Sequence, residues 1–441
     1  MNPPCSEFLA YFSLSLAGVM AMPLSRLTSD WLVVPVSRRG LLQAGLAFAV
    51  SPWSIAVRAA EGTKPSTTAD QLIVGKDRRL LVHNASTTGF EIETPLEVLR
   101  EDAITPLSKL FVRNNQQPDW SATIEPPPAG PWKLEIGGLL EFPRTIMVEE
   151  LRRLPQIEQE MVLQCSGNGR SMFHAASPVK GSPWSYGAMG NVRFKGPSLK
   201  SVFEKLDVRP HDLAKFLTAE GADSPGKPDA ADFEHSLPLN ETLARSLLAV
   251  ELNGRPLPAV HGGPLRLVTP GYYGTMHVKW LTRLRLEAQE TVNHHQVKRY
   301  RTPREPLTPG AAFDYRLDNS DPHWRMKIKS VIFAPAHDAA LRDGKIVAGG
   351  VAWNDGTSRI DAVELSLDEG KSWRRAEMER SGRYAWQRWQ MPLTLPRGKH
   401  TLICRAVDTL GNTQPLDGTI DWNPAGYTWR GADRVTVDVT G

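Results

Sequence analysis

The feature that most constrains this chain is a change of pattern around residues 301–321. Downstream of it, seven short strand-like segments follow one another: Lys327–Phe333, Lys345–Trp353, Ile360–Leu367, Trp373–Met378, Tyr384–Met391, His400–Asp408 and Arg434–Val439. Turn sequences such as Asn354-Asp355-Gly356, Asp368-Glu369-Gly370 and Leu410-Gly411-Asn412 separate several of them. A short strand cannot bury its apolar face alone, so a succession at this spacing predicts two packed sheets, an immunoglobulin-like β-sandwich over residues 322–441. The stretch Arg301–Asp321 carries Pro303, Pro306, Pro309 and Gly310 with little apolar periodicity, which predicts a linker at 306–321.

Upstream, residues 61–305 mix short apolar runs such as Trp132–Ile136 and Leu281–Leu286 with helix-like stretches at Ser198–Leu206 and Asn240–Leu248, an α+β pattern. Asn240 is the expected cap of the second helix, with Glu241 in its first turn. Residues 61–80 are polar, end in Lys76-Asp77-Arg78-Arg79, and read as an arm before the fold. A chain of 441 residues has room for two or three such domains. Its 41% hydrophobic and 23% charged residues exclude a disordered chain and a polytopic membrane protein. Its 52 basic and 48 acidic side chains are scattered, so the net charge of +4 forms no nucleic-acid footprint.

Residues 1–60 read as a targeting segment. Ser37-Arg38-Arg39-Gly40-Leu41-Leu42-Gln43 precedes the apolar stretch Ala44–Val57 and the small residues Ala59 and Ala60, giving a charged region, an apolar region and a cleavage site in order. The paired arginines resemble a twin-arginine export signal, with Leu42 and Gln43 as departures from its commonest form, and predict a periplasmic protein exported folded. An earlier apolar run, Phe8–Leu24, is broken by Pro23 and reads as an overextended start, with Met20 or Met22 the true one. The twin-arginine route typically carries proteins that receive a cofactor before export, which directs attention to residues able to hold one.

The three cysteines, Cys5, Cys165 and Cys404, are too far apart for a C-x-x-C zinc or redox motif or a C-x-x-C-H haem attachment. Cys404 alternates with Leu402 and Ala406 and is expected in the sandwich core. Cys165 has a different setting. It follows Met161-Val162-Leu163 and opens the loop Cys165-Ser166-Gly167-Asn168-Gly169-Arg170, which puts a thiol at a strand end near a cation, where it can act as a thiolate for a soft metal. Taken alone, a core thiol is the commoner reading.

Read whole, residues 161–199 resemble the molybdopterin enzymes of the sulfite oxidase and sulfite dehydrogenase family, through the Cys165 loop, Gly181-Ser182-Pro183-Trp184 and Gly187-Ala188-Met189-Gly190-Asn191-Val192. Further segments are similar to the family in order and spacing: Phe111-Val112-Arg113-Asn114, Glu220-Gly221-Ala222-Asp223, His261-Gly262-Gly263-Pro264-Leu265-Arg266, His277-Val278-Lys279-Trp280, and Tyr300, 21 residues beyond Lys279. The resemblance implies a sulfite-oxidase-type catalytic domain holding a molybdenum-molybdopterin cofactor, with Cys165 as the protein ligand to the metal. It implies cofactor contacts from Phe111, Val112, Arg113, Asn114, Asn115, Asp223, His261, Arg266, His277, Val278 and Lys279. Arg113, Arg170, Trp184 and Tyr300 become the residues expected around a small anion such as sulfite. Arg and Lys are the donors an anionic tail or substrate requires.

The resemblance further implies oxidation of sulfite to sulfate, electron transfer to a separate c-type cytochrome with no haem in this chain, and a homodimer formed through the sandwich. Two departures stand out. Asn115 occupies the position where the family often has His, and Ala425, in Trp422-Asn423-Pro424-Ala425-Gly426-Tyr427, stands where a basic residue is common. Arg430 is a candidate replacement for that charge. Ala425 keeps open an alternative reaction with the same cofactor, on another sulfur species or an S- or N-oxide. A reading from another class, an exported binding or adhesion protein, sets the sandwich to work and leaves the Cys165 loop idle. His261 and His277 gain significance only from the resemblance, and His294-His295 read as surface residues.

Overall fold

The computed structural model describes residues 67–86, 89–223 and 231–441. The twin-arginine segment, the Phe8–Leu24 run and Cys5 lie outside the described residues.

Three sheets frame the first half. A five-stranded mixed sheet runs in the order Arg144–Met147, Lys133–Gly138, Leu281–Glu287, Phe216–Gly221, Glu234–Pro238. Its central pair, Lys133–Gly138 and Leu281–Glu287, is parallel and joins residues far apart in the chain. The strand Leu281–Glu287 alternates buried Leu281, Leu284 and Leu286 with more exposed polar residues, and the buried face packs on Val202, Phe203 and Leu239 of two short helices. One helix, Leu199–Lys205, is capped by Ser198, whose Oγ accepts from Ser201 N at 3.0 Å. The other spans Leu239–Arg245, one residue earlier than the sequence suggested, so Asn240 lies inside its first turn and does not cap it. The helix stops at Ser246 because Leu247–Ala249 pairs as a strand with Arg266–Val268, which buries Leu247 and Leu248 completely.

A second sheet pairs Ile157–Gln164 with Met189–Gly196 along eight residues each, and Cys165 leaves its end. A third consists of Leu81–Ser86, Gly89–Glu93 and the two-residue strand Val112–Arg113, with Glu91 directly opposite Arg113.

The segment before these strands is not a free arm. Ala69 and Ile73 are fully buried, and Lys76 is only 5% exposed. The proline-rich stretch is likewise no open linker: its ends, Arg301–Pro303 and Ser320–Pro322, pair antiparallel, and Arg301 is buried with its guanidinium on Glu290 at 2.8 Å.

The C-terminal part is a two-sheet sandwich. One sheet holds Lys329–Ala334, Lys345–Trp353, Gln387–Thr394 and Glu377–Glu379; the other holds Ala339–Leu341, Asp433–Val439, Gly398–Asp408, Ile360–Ser366 and Arg374–Arg375. The segment predicted as one strand at Trp373–Met378 is two. Arg374–Arg375 pairs in one sheet and Glu377–Glu379 in the other, so the chain crosses between sheets at Ala376. Cys404 is fully buried between them, its Sγ 3.3 Å from Ser330 Oγ, and burial raises its thiol pKa well above the usual range. The sandwich also grips the first half: Trp353 Nε1 donates to Gln164 Oε1 at 2.8 Å, Lys329 Nζ to Asn168 O at 3.0 Å, and Thr428 N to Ser166 O at 2.7 Å.

Candidate active site

Cys165 sits where the strand Ile157–Gln164 gives way to a tight loop. Its N–H donates to Ala188 O at 2.9 Å, and its Sγ accepts from Gly167 N at 3.4 Å. The loop turns at Gly169, whose φ of 89° and whose contact with Trp429, 2.6 Å from where a Cβ would stand, both require glycine. The thiol lines a cavity in the first half of the chain. Ten of the residues singled out from the sequence line that cavity: Phe111, Arg113, Asn115, Cys165, Asp223, His261, Arg266, His277, Lys279 and Tyr300.

One wall is cationic. Arg266 is held rigidly by its own loop, Nε donating to His277 O at 3.0 Å and Nη1 to His261 O at 3.1 Å, and burial brings its pKa down to about 9. His277 Nε2 donates to Thr269 O at 2.9 Å, which leaves Nδ1 a bare acceptor without a partner in a fully buried ring. Burial, reinforced by Arg266, lowers the His277 pKa to about 3 and holds it neutral. His261 is also held neutral, by burial first and then by Lys76, Lys279 and Arg266. Lys279 Nζ donates to Arg113 O at 3.2 Å and to Asn114 Oδ1. Burial and Arg266 push the Lys279 pKa well below the ordinary lysine value, and burial raises Asp223 beside it to about 7. So much buried positive charge with one acid beside it is costly unless an anion completes the site.

Adjoining it through Lys279 is a polar chain. Arg113 meets Glu91 at 3.3 Å and donates to Asn115 Oδ1, while Asn115 Nδ2 donates to Tyr300 Oη at 2.5 Å. Asn115 thus links Arg113 to Tyr300. Tyr300 adopts φ 53°, in the left-handed region, as does Trp280 at 49° next to Lys279; such strain on non-glycine residues clusters at functional sites.

Several expectations are corrected. Trp184 does not wall the cavity: it is fully buried in the core cluster behind Cys165, edge-on to His83 at 5.1 Å. Arg170 does not line it either. Its Nε and Nη1 each donate at 3.0 Å, to Ala425 O and Ser182 O, and its guanidinium stacks on Tyr427 at 5.0 Å. Val112 and Val278 bury their side chains in the core and Asn114 is fixed between Gln117 and Lys279; none of the three is among the cavity-lining residues, which leaves their expected contact with the cofactor as an expectation. Arg430 is bound to Asp421 at 2.6 Å and does not take the place left by Ala425. Of the histidine pair, His294 is exposed but His295 is buried against Phe233, ring centroids 5.2 Å apart, because the helix His294–Val297 turns it inward.

The sequence reading missed Lys76, whose Nζ reaches Leu107 O at 2.7 Å, Leu110 O at 2.6 Å and His261 Nε2 at 3.0 Å. It also missed Gln116, Phe233 and Thr275 in the cavity wall. Gln116 adjoins the Arg113 segment and was the one within reach of sequence reasoning. Among the described residues no cluster of three or more His, Cys, Asp or Glu forms a metal cage, so a metal here would rest on Cys165 together with ligands from outside the chain.

Comparison with known proteins matches residues 122–295 to the oxidoreductase molybdopterin binding domain and residues 320–439 to the Mo-co oxidoreductase dimerisation domain. Mitochondrial sulfite oxidase of Rattus norvegicus is 32% identical over 367 residues, covering 79% of this chain and 64% of the relative. Sulfite oxidase of Gallus gallus is 32% identical over 349 residues, 76% of this chain and 73% of the relative. This chain therefore spans about two thirds of the length of the rat relative. Among solved structures, the sulfane dehydrogenase SoxCD from Paracoccus pantotrophus aligns with a TM-score of 0.66 and 25% identity, covering 89% of this chain and 97% of that one.

Proposed function

Because this chain belongs to the sulfite oxidase family of molybdopterin oxidoreductases, we propose that it oxidises sulfite to sulfate in the periplasm and passes the electrons to a separate c-type cytochrome. The observation that carries this reading is the meeting, in one cavity, of a loop-end thiol with a buried cationic wall. These residues fit the cofactor. Cys165 would supply the soft donor to molybdenum, and Arg266, Lys279 and the bare Nδ1 of His277 would meet the anionic tail and polar edge of the pterin. The cofactor supplies the two-electron oxygen-transfer chemistry; the chain supplies position and charge.

The polypeptide's own part is binding and orientation. Arg113 attracts a small oxyanion to the mouth of the cavity, and Tyr300 and Asn115 present polar atoms that set its orientation. Leu163, Phe111 and Phe233 keep water from the rest of the wall. The C-terminal sandwich is the surface for a homodimer, as the name of its matched domain suggests. Export follows from the arginine pair, and Arg38→Lys with Arg39→Lys leaves the precursor in the cytoplasm if that reading is right.

A second reading, oxidation of another sulfur species, rests on specific observations: Ala425 removes one cation, Arg430 does not replace it, and the sulfane dehydrogenase aligns over nearly all its length. The test is molybdenum analysis of purified protein together with turnover on sulfite and on a protein-bound sulfane sulfur. One molybdenum per chain with sulfite turnover supports the first reading. Metal with turnover only on the bound sulfane sulfur replaces it with the second, and protein free of molybdenum refutes both.

A further inference from the structure

The hairpin Leu81–Ser86/Gly89–Glu93 lies N-terminal to the matched domain, yet its second strand pairs with Val112–Arg113, and Arg113 lines the cavity. Its second strand places Glu91 and Glu93 on one face, two residues apart. Glu93 is structural: it is 1% exposed and holds Ser185 N at 3.2 Å, Gly187 N at 2.7 Å and His83 Nε2 at 2.6 Å. Glu91 is different. Its side chain keeps 14% exposure, and its carboxylate faces one of the two cavity-lining arginines, Oε1 lying 3.3 Å from Arg113 Nε. The other carboxylate oxygen accepts from Ser182 Oγ, and Ser182 O in turn accepts from Arg170 Nη1 at 3.0 Å.

One carboxylate therefore touches Arg113 directly and reaches Arg170 through a single residue. Arg170 spends its donors on carbonyls, Arg430 spends its own on Asp421, and position 425 is alanine. Apart from Arg266 and Lys279, which the proposed function gives to the cofactor, positive charge lining the cavity then rests on Arg113, and Glu91 offsets it.

We propose that Glu91 is a specificity-determining residue, which by pairing with Arg113 weakens the site's hold on doubly charged oxyanions relative to singly charged ones. The inference rests on the reading that a small sulfur oxyanion enters this cavity. Its physical basis is that the repulsion from a fixed carboxylate scales with ligand charge, whereas shape and hydrogen bonding are nearly common to tetrahedral ions of equal size. The pair is largely shielded from water, side-chain exposures being 21% and 14%, so screening does not erase the difference.

The experiment is equilibrium binding of sulfate and of methanesulfonate, its singly charged tetrahedral analogue, to the oxidised holoenzyme by calorimetry. Wild type is expected to bind sulfate no more tightly than methanesulfonate. Glu91→Gln, which can still accept from Ser182, is expected to bind sulfate about tenfold more tightly and methanesulfonate less than about threefold more tightly. Equal gains for both ions, or no gain in a variant with wild-type molybdenum content, overturn the proposal. Should the variant lose its metal, the wild-type comparison decides alone, and sulfate bound about tenfold over methanesulfonate refutes it. Ser182→Ala separates charge from loop tethering: it leaves the ion pair and should leave sulfate affinity unchanged, and a gain matching that of Glu91→Gln would also overturn the assignment. Binding needs no turnover, so a molybdenum-loaded protein inert to sulfite refutes the proposed reaction while the anion preference is still measured.

Discussion

Replacing Lys76 with methionine tests whether the segment before the first strand belongs to the cofactor site. The side chain keeps its length and loses its polar end. In the native structure that end, 5% exposed, serves three buried groups: Leu107 O, Leu110 O and His261 Nε2. Burial lowers the Lys76 pKa well below the lysine range, yet charged or neutral, the nitrogen satisfies all three. An orphaned buried acceptor costs about 1–3 kcal/mol, and three of them cost about 3–9 kcal/mol before relaxation. Burying a thioether in place of an amine offsets a part of that, which leaves a net loss of about 3 kcal/mol. At roughly 2 °C per kcal/mol for a unit of this size, the melting temperature falls by about 6 °C. His261 loses the contact that orients its ring in the cavity wall, so molybdenum retention after dialysis should fall as well. Differential scanning fluorimetry at a fixed scan rate and metal analysis on one preparation read both effects. A variant that melts within about 1 °C of wild type and keeps its full metal content would refute the reasoning, and the segment would revert to a dispensable arm.

Cys165→Ser should abolish sulfite turnover while leaving the melting temperature of the metal-free protein within about 2 °C, because a hydroxyl is a poor donor to a soft metal; undiminished turnover would sink the ligand assignment. Arg170→Gln removes two charge-assisted hydrogen bonds, worth about 1.5–3 kcal/mol each, from the cysteine loop, so activity should fall in step with molybdenum content. A raised KM at full metal content would instead bring Arg170 to the substrate. Arg430→Ala should change KM less than about twofold, since its guanidinium is bound to Asp421 outside the cavity lining, and a tenfold rise would restore it as the replacement for the charge missing at Ala425.

What sequence alone determined here was whatever short-range pattern encodes. Alternation placed the strands Lys345–Trp353 and Gly398–Asp408 within two residues of their observed ends, and Cys404 in the core, because burial on one face of a sheet demands a period of two. The cysteine loop was legible for the same reason: strand, thiol, glycine turn and cation are contiguous. Ten candidate residues drawn from separate segments line one cavity, but their convergence was inferred from resemblance and not from any local signal.

Tertiary structure decided which partner each polar group finds. Arg170 spends its charge on a carbonyl 255 residues away, Lys76 meets a histidine 185 residues away, and Arg113 is offset by a glutamate on a different strand. Periodicity reports that a side chain is buried and says nothing of what it is buried against. The partners of a buried charge are set by how sheets cross and loops stack, and they govern its energy far more strongly than its residue type does. The same limit hid the helix end at Ser246, the paired ends of the proline-rich stretch and the change of sheet at Ala376, each fixed by the strand a segment pairs with, which its own residue pattern does not report.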